Sequence, residues 1–248
     1  MDKESIRKAF DVAASLYAYR LPYHGQFFAD LAGRIGLRGK EHVLDLCCGS
    51  GAIVRGLAPC VGSVVGLDFS AEMLGLAPSL PNAEYRRISV EEHAEGSGSG
   101  SFDLISVGHG IHWIDPKPLA TILSRDLKTA GRVIILGNQW AEETPWIGQL
   151  RRVEAPFKSF DVFDVNGQRK LGALGFRMTD RAHYKFQVDC DLPFLEKHVT
   201  SYARYTEKIL RQPEEFSRRM REALSPFADT RGNLRGFALN WACIYTRE

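Results

Sequence analysis

The chain of 248 residues contains no apolar run approaching the roughly 20 residues that a membrane-spanning helix needs. Its opening stretch, Met1-Asp2-Lys3-Glu4, is charged and lacks the apolar core of a secretory signal, so the expectation is a cytoplasmic protein without a membrane partner. A Cys-x-x-Cys pair is also missing. Five cysteines, at 47, 48, 60, 190 and 243, are scattered too widely for a zinc or dithiol site, and they read as reduced thiols with no metal. Charge of one sign is scarce as well. The net charge of +2 argues against an extended nucleic-acid surface. The basic run Arg218-Arg219-Met220-Arg221 is interleaved with Glu214, Glu215 and Glu222 and reads as a solvated helix face. There are no internal repeats and no Gly-Lys-Ser/Thr ending for a phosphate loop. What remains is ordinary globular composition, 44% hydrophobic and 25% charged, at a length that suits one α/β domain with an elaboration or at most two small domains.

The chain is organised around Glu41 to Arg55. Val43, Leu44 and Leu46 form a short apolar run that reads as a buried strand; Gly49-Ser50-Gly51 is a glycine turn; Ala52 to Leu57 begins a helix. A strand running through a glycine turn into a helix presents bare backbone N–H groups to a ligand. Asp45, near the end of the strand, adds a fixed negative charge beside the turn. A second strand, Val64 to Leu67, delivers Asp68 to the same sheet edge, where an acid is placed to bond a ribose diol. A dinucleotide fingerprint would need a third glycine where this chain has Val54, which weakens an NAD-dependent dehydrogenase as the explanation.

The stretch resembles the D-x-G-x-G-x-G motif of class I S-adenosylmethionine-dependent methyltransferases. Cys47 stands where that family usually has its first glycine, and a cysteine there is expected to avoid positive φ. Phe69-Ser70-Ala71-Glu72-Met73-Leu74 resembles the family's D-x-S-x-x-M-L continuation, with Ser70 as the helix N-cap. Phe102 to Asp115, a buried fourth strand followed by Gly108-His109-Gly110-Ile111-His112-Trp113, resembles the F-D-L-V…H-W-F/I-D segment of a small-molecule group. That group includes trans-aconitate methyltransferase-like and ubiquinone/menaquinone methyltransferase-type enzymes. Tyr17 to Tyr23 resembles the group's Y-x-x-x-R-P-x-Y element, with Leu21 inserted between Arg20 and Pro22.

The resemblance implies a Rossmann-like α/β fold: a seven-stranded sheet flanked by helices, closed by a late hairpin, with a helical cap inserted between the last two strands. The expected layout is a single domain over 1–248, with an N-terminal helical strap over 1–40, a cofactor core over 41–140 and the cap over 190–232. It also implies S-adenosylmethionine as cofactor and S-adenosylhomocysteine as product. The cofactor contacts expected are Tyr17, Arg20, Asp45, Gly49, Ser50, Gly51, Asp68, Phe69, Met73, Ser89, Val90, Glu91 and Gly108. Tyr17 and Arg20 would reach the methionine carboxylate, Phe69 and Met73 the adenine face, and Ser89 would offer its hydroxyl to the adenine edge.

Along the chain, helical spacing covers 4–16 and about 26–35, and the polar Gly96 to Ser101 reads as a flexible loop. A third strand begins at Ala83. Further helices are expected at about 118–127, 146–157 and 192–223, and strands at 182–190 and 234–245. Lys128 to Gly131 reads as a tight turn before a fifth strand, after which Asn138, Gln139 and Trp140 reach the carboxyl edge. Methyl transfer from a sulfonium is an in-line displacement, in which the protein positions the reactants and excludes water. If the nucleophile must lose a proton, His109 and His112 are the candidate bases. Trp113, Trp140, Tyr202, Arg204 and Tyr205 are the expected substrate contacts, suiting a flat or carboxylate-bearing small molecule. The expected activity is methylation of oxygen or nitrogen on such a metabolite, by a monomer or homodimer. Two alternatives stand beside it: a methyltransferase acting on protein or RNA, and a non-catalytic nucleoside-binding protein.

Overall fold

The computed structural model describes residues 14–96 and 101–248. The N-terminal helical periodicity therefore lies almost wholly outside the described residues, as does the centre of the Gly96–Ser101 loop. The chain forms two compact units. Of the described residues, the larger comprises Tyr23–Gly137, Val162–Tyr184 and Asn240–Glu248; the smaller comprises 14–22, Asn138–Asp161 and Lys185–Leu239.

Taken in chain order, α1 (Gly25–Ile35) is followed by β1 (His42–Leu46), α2 (Ala52–Leu57), β2 (Ser63–Asp68) and α3 (Ala71–Leu74). Next come β3 (Ala83–Arg87), α4 (Val90–Glu95), β4 (Phe102–Gly108), α5 (Pro116–Arg125) and β5 (Leu127–Trp140). The remainder is α6 (Ile147–Glu154), α7 (Gln168–Gly172), β6 (Phe176–Cys190), α8 (Leu192–Thr200), α9 (Ala203–Arg211), α10 (Pro213–Leu224) and β7 (Leu234–Arg247). The strands form one mixed sheet in the order β3-β2-β1-β4-β5-β7-β6, with β7 antiparallel. This is the seven-stranded arrangement expected, and α8 to α10 occupy the expected insertion between β6 and β7.

Alternation along the central strands builds a layer on each face of the sheet in the larger unit. Val43, Val64, Leu104 and Ile134 face Phe27, Phe28 and Leu31 of α1 and Val54 and Leu57 of α2. Their neighbours Leu44, Leu46, Ile105, Val133 and Ile135 face Leu119, Ile122 and Leu123 of α5. Parallel strands β1, β2 and β4 lie side by side, so all three open at one carboxyl edge. The tight turn expected at Lys128–Gly131 is absent. Leu127 already pairs with Phe102, and the next printed pair is Arg132 with Leu104, so these residues form a bulge inside β5.

The smaller unit has its own core. Trp146 is fully buried and donates its indole N–H to the Arg235 carbonyl at 2.9 Å. Around it pack Leu150 and Val153 of α6, Leu195 and Val199 of α8, Tyr205 and Ile209 of α9, and Phe216, Met220 and Leu224 of α10. Asp191 caps α8 by accepting from the Phe194 N–H at 2.8 Å, a bond worth about 1 kcal/mol. Two arginines of the basic run on α10 are paired within the helix, Arg218 with Glu215 and Glu222, and Arg219 with Glu215. Among the described residues no helix is long and apolar enough to cross a membrane.

Candidate functional site

The carboxyl edge of the larger unit collects the motif residues. β1 ends at Leu46, and the chain turns through Cys47 at φ 57°, Gly49 at φ 54° and Gly51 at φ 71° before entering α2. Cys47 thus corrects the expectation that cysteine here avoids positive φ: the turn demands the left-handed state, and cysteine is held in it. The adjacent thiols do not continue the strand. Cys47 is half-buried, whereas Cys48 is buried with its N–H donating to the Leu67 carbonyl at 2.9 Å. Burial pushes both thiols well above the ordinary range, so neither is a thiolate at neutral pH.

Gly51 is required for a second reason besides its φ. A Cβ there would lie 2.5 Å from the hydroxyl of Tyr85, a β3 residue that packs under the turn. Tyr85 was not foreseen as part of this turn. Its hydroxyl is buried without a hydrogen-bond partner, and burial pushes the phenol up to about 12.

Asp45 lies at the floor of the turn and is fully buried. Its Oδ1 accepts from the Ser106 hydroxyl on β4 at 2.6 Å, while Oδ2 is buried with no partner. Desolvation, opposed by the Ser106 bond and assisted by nearby Asp68, pushes its carboxyl up to about 7. The fixed negative charge expected of Asp45 is therefore a titrating one.

Asp68 ends β2 and turns back onto the motif. Its Oδ2 accepts from the Gly49 N–H at 2.8 Å and its Oδ1 from the Ser70 N–H at 2.9 Å. Each oxygen retains lone-pair capacity for a further donor. Burial raises the carboxyl and these backbone bonds oppose it. Ser70 is the N-cap of α3 as expected, accepting from Met73 N–H at 3.2 Å; Met73 is buried and Phe69 half-buried.

The Ser89 hydroxyl, expected at the adenine edge, is engaged within the protein at the start of α4, where Ser89 and Glu92 form a capping box bonded in both directions. The signal was present in the sequence as Ser89-x-x-Glu92. Val90 buries its side chain in the core beside Leu44 and Leu67, so only its backbone remains for recognition. Glu91 is half-buried in the first turn of α4, and Ser50 half-buried in the glycine turn.

Beyond β4 the backbone closes onto the same turn. A Cβ on Gly108 would lie 2.8 Å from Ile53, and one on Gly110 would lie 2.9 Å from the Cβ of Cys47. His109 between them has φ 53°, and its N–H donates to the Leu136 carbonyl at 3.0 Å. Its ring stands edge-on to Trp241, centroids 6.2 Å apart, and the His112 ring tilts against Trp113 at 4.8 Å. Lys170 of α7 clamps this loop: its ammonium donates to the Ile111 carbonyl at 2.7 Å and to the Ile114 carbonyl. Burial lowers the Lys170 pKa, and Asp164 and Asp115 oppose that shift. No sequence signal marked Lys170, because its partners lie more than fifty residues away.

The remaining expected residues sit in the smaller unit. Arg20, expected at a methionine carboxylate, donates to the Ser201 carbonyl at 2.7 Å and lies 3.6 Å from the centre of the Tyr202 ring. Tyr17 is 5.3 Å from the same guanidinium. Trp140 is 5% exposed and packs edge-on against Trp146, centroids 4.7 Å apart. Tyr205 is turned into the core with its hydroxyl donating to Glu154 at 3.2 Å, so it offers no open aromatic wall. Arg204 lies 4.8 Å from the Tyr205 ring and 5.7 Å from Tyr202.

Comparison with known proteins agrees with this geometry. Residues 43–131 match a family model described as a methyltransferase domain. A demethylmenaquinone methyltransferase of Lactiplantibacillus plantarum is 31% identical over 147 residues, covering 53% of this chain and 62% of the relative. A ubiquinone biosynthesis O-methyltransferase of Dechloromonas aromatica is 36% identical over 107 residues, covering 41% and 45%. An uncharacterised methyltransferase of Synechocystis is 39% identical over 95 residues, covering 37% and 44%. The chain spans about half the length of the curated relatives it matches. Among solved structures, a putative type II methyltransferase from Anaeromyxobacter dehalogenans shares the fold with a TM-score of 0.73 at 16% identity, over 92% of this chain and 97% of that one.

Proposed function

Because the chain belongs to the class I S-adenosylmethionine-dependent methyltransferases, we propose that it transfers a methyl group from that cofactor to oxygen or nitrogen of a small organic acceptor. The observation that carries the proposal is the closed circuit at the carboxyl edge. Asp68 holds Gly49, the left-handed turn exposes its backbone, and the His109 loop packs against Cys47.

The residues present fit this cofactor. Asp45 Oδ2, buried and without a partner, is an acceptor that a cationic group at the turn would complete. Asp68 keeps acceptor capacity for a ribose diol, and Phe69 and Met73 flank it for the adenine face. When bound, the cofactor supplies an electrophilic methyl on a sulfonium. The chain's own work is orientation and exclusion of water. His109, edge-on to Trp241, is the proposed base for an acceptor that must lose a proton, and His112, tilted against Trp113, is the second candidate. The small-molecule preference rests on the quinone substrates named for the relatives and on the paired arginines Arg218 and Arg219 of α10.

The test follows methyl-labelled S-adenosylmethionine with the purified protein and a metabolite extract of its source organism. Label in the low-mass fraction supports the proposal, and mass spectrometry then names the acceptor. Label in protein or RNA would overturn the small-molecule reading, and failure to bind S-adenosylhomocysteine would overturn the activity itself.

A further inference from the structure

The residues at 47 and 110 are the reverse of what their backbones ask for. Cys47 has φ 57°, a state that suits glycine and costs a residue with a side chain. Gly110 has φ −104° and ψ −18°, right-handed backbone open to any residue. Only its surroundings keep it a glycine. A Cβ there would lie 2.9 Å from the Cβ of Cys47, 3.2 Å from Cγ1 of Val107 and 3.4 Å from Sγ of Cys47. The Val107 contact is relieved by a small shift of one methyl. The Cβ of Cys47 is fixed to its backbone, so relief there means moving the turn or the loop. A side chain is thus kept at 47 against its backbone, and room for it is kept at 110.

This contact joins the two segments that the chemistry has to bring together, and both belong to the larger unit. β1 and β4 pair as far as Leu46 with Val107; beyond that pair one chain becomes the glycine turn and the other the histidine loop. Cys47 is the first residue of the turn. Gly110 follows His109 and precedes the helical turn Ile111–Trp113 that carries His112. Other contacts tie the loop elsewhere. The His109 N–H holds it to Leu136 of β5 at 3.0 Å, and the Lys170 ammonium holds Ile111 to α7 at 2.7 Å. Gly108, set against Ile53 of α2, fixes where the loop leaves the sheet. Cys47 fixes how far the loop stands from the turn once it has left. Burial keeps its thiol protonated, so what Cys47 contributes there is volume and not charge.

We propose that Cys47 is a positioning residue for methyl transfer: its side chain, seated on Gly110, sets the separation of the His109 loop from the cofactor turn. The inference rests on the methyltransferase activity proposed above. A misplacement of about 1 Å can cost an in-line reaction about a hundredfold in rate, which gives a spacer between these segments its value. Glycine at 47 would suit the backbone better and leave that separation unset.

The experiment uses the full chain with carbon-13-labelled histidine, with and without S-adenosylhomocysteine at a concentration shown by calorimetry to saturate each variant. The magnetic resonance signal of the His109 ring is assigned by its loss in His109→Gln. In the parent, S-adenosylhomocysteine is expected to shift this signal. In Cys47→Gly the shift should fall to less than about half, while the unfolding midpoint stays at or above the parent's. A merely structural cysteine would move the two readouts together. Cys47→Ala, which keeps the Cβ that meets Gly110, should retain most of the shift. Cys47→Gly combined with Gly110→Ala places a methyl on the other side of the same contact and should restore it. A full shift in Cys47→Gly overturns the inference. So does a double variant no closer to the parent than Cys47→Gly alone, or a Cys47→Ala as impaired as Cys47→Gly. A parent that binds S-adenosylhomocysteine without moving His109 sinks this inference and leaves the methyltransferase activity standing. A parent that fails to bind it sinks the activity, and the inference with it.

Discussion

Cys47 and His109 leave neighbouring parallel strands in the same backbone state. Each is the first residue beyond its strand, β1 or β4, and their φ angles are 57° and 53°. Left-handed backbone costs a residue with a side chain about 1–2 kcal/mol. Two such residues side by side, with Gly110 pressed onto the Cys47 Cβ, place stored strain where the glycine turn meets the histidine loop.

Cys47→Gly relieves half of that strain and is expected to stabilise the protein by up to about 1 kcal/mol, less the entropy that glycine adds to the unfolded chain. Cys47→Val, β-branched and forced into the same φ, is expected to lose about 2 kcal/mol. Thermal unfolding of the pair checks the sign; equal midpoints would remove the strain argument.

Asp45 gives stability a pH dependence. An unfolded aspartate titrates near 3.9, whereas burial keeps the folded group protonated up to about 7. Between these values the folded chain binds more protons, so the contribution of Asp45 is full below the unfolded pKa and is lost as pH rises through the folded one. Asp45→Asn should therefore gain on the parent between about pH 4 and 7 and keep a constant difference above that. Urea unfolding across this range measures it, and parallel curves would refute it.

Asp68→Ala removes the acceptor proposed for the ribose diol together with the bonds to Gly49 and Ser70. S-adenosylhomocysteine affinity is expected to fall about tenfold to a hundredfold by calorimetry. Unchanged affinity would take Asp68 out of the site.

His109→Ala tests the base. If His109 accepts the proton, transfer to the identified acceptor should slow about 10²–10⁴-fold and lose its dependence on an ionisation on the acid limb. Full-rate transfer at every pH would leave the histidine with a structural role only.

Lys170→Met breaks the clamp on the Ile111 and Ile114 carbonyls without touching His109 or His112. Amide exchange over residues 109–115 should quicken about tenfold or more, since hydrogen bonds to a charged donor are worth about 1.5–3 kcal/mol. Exchange at the parent rate would show that the loop holds itself.

Much of this arrangement was legible in the chain because it is local. Strand, turn and helix at 41–57, the Ser70 cap and the alternation that buries Leu44 and Leu46 are written within a few residues of one another. The Ser89-x-x-Glu92 box was equally local, but the family likeness drew the hydroxyl toward a ligand. The features that escaped are long-range. Lys170 meets carbonyls 56 and 59 residues away, and Ser106 reaches Asp45 across 61. Cys47 escaped for another reason: a backbone angle imposed by the turn overrode the preference of the residue within it.

The boundaries between the compact units fall at Pro22, Gly137, Asp161, Tyr184 and Leu239, and three of these lie inside β5, β6 and β7. A region threaded in this way is no transplantable cassette. Recombination at a single crossover would join foreign halves of one strand, and α8 to α10 could not be exchanged without the strand ends that lead into and out of them. Change in the smaller unit along this lineage is thus expected to proceed residue by residue, with the strands inherited whole.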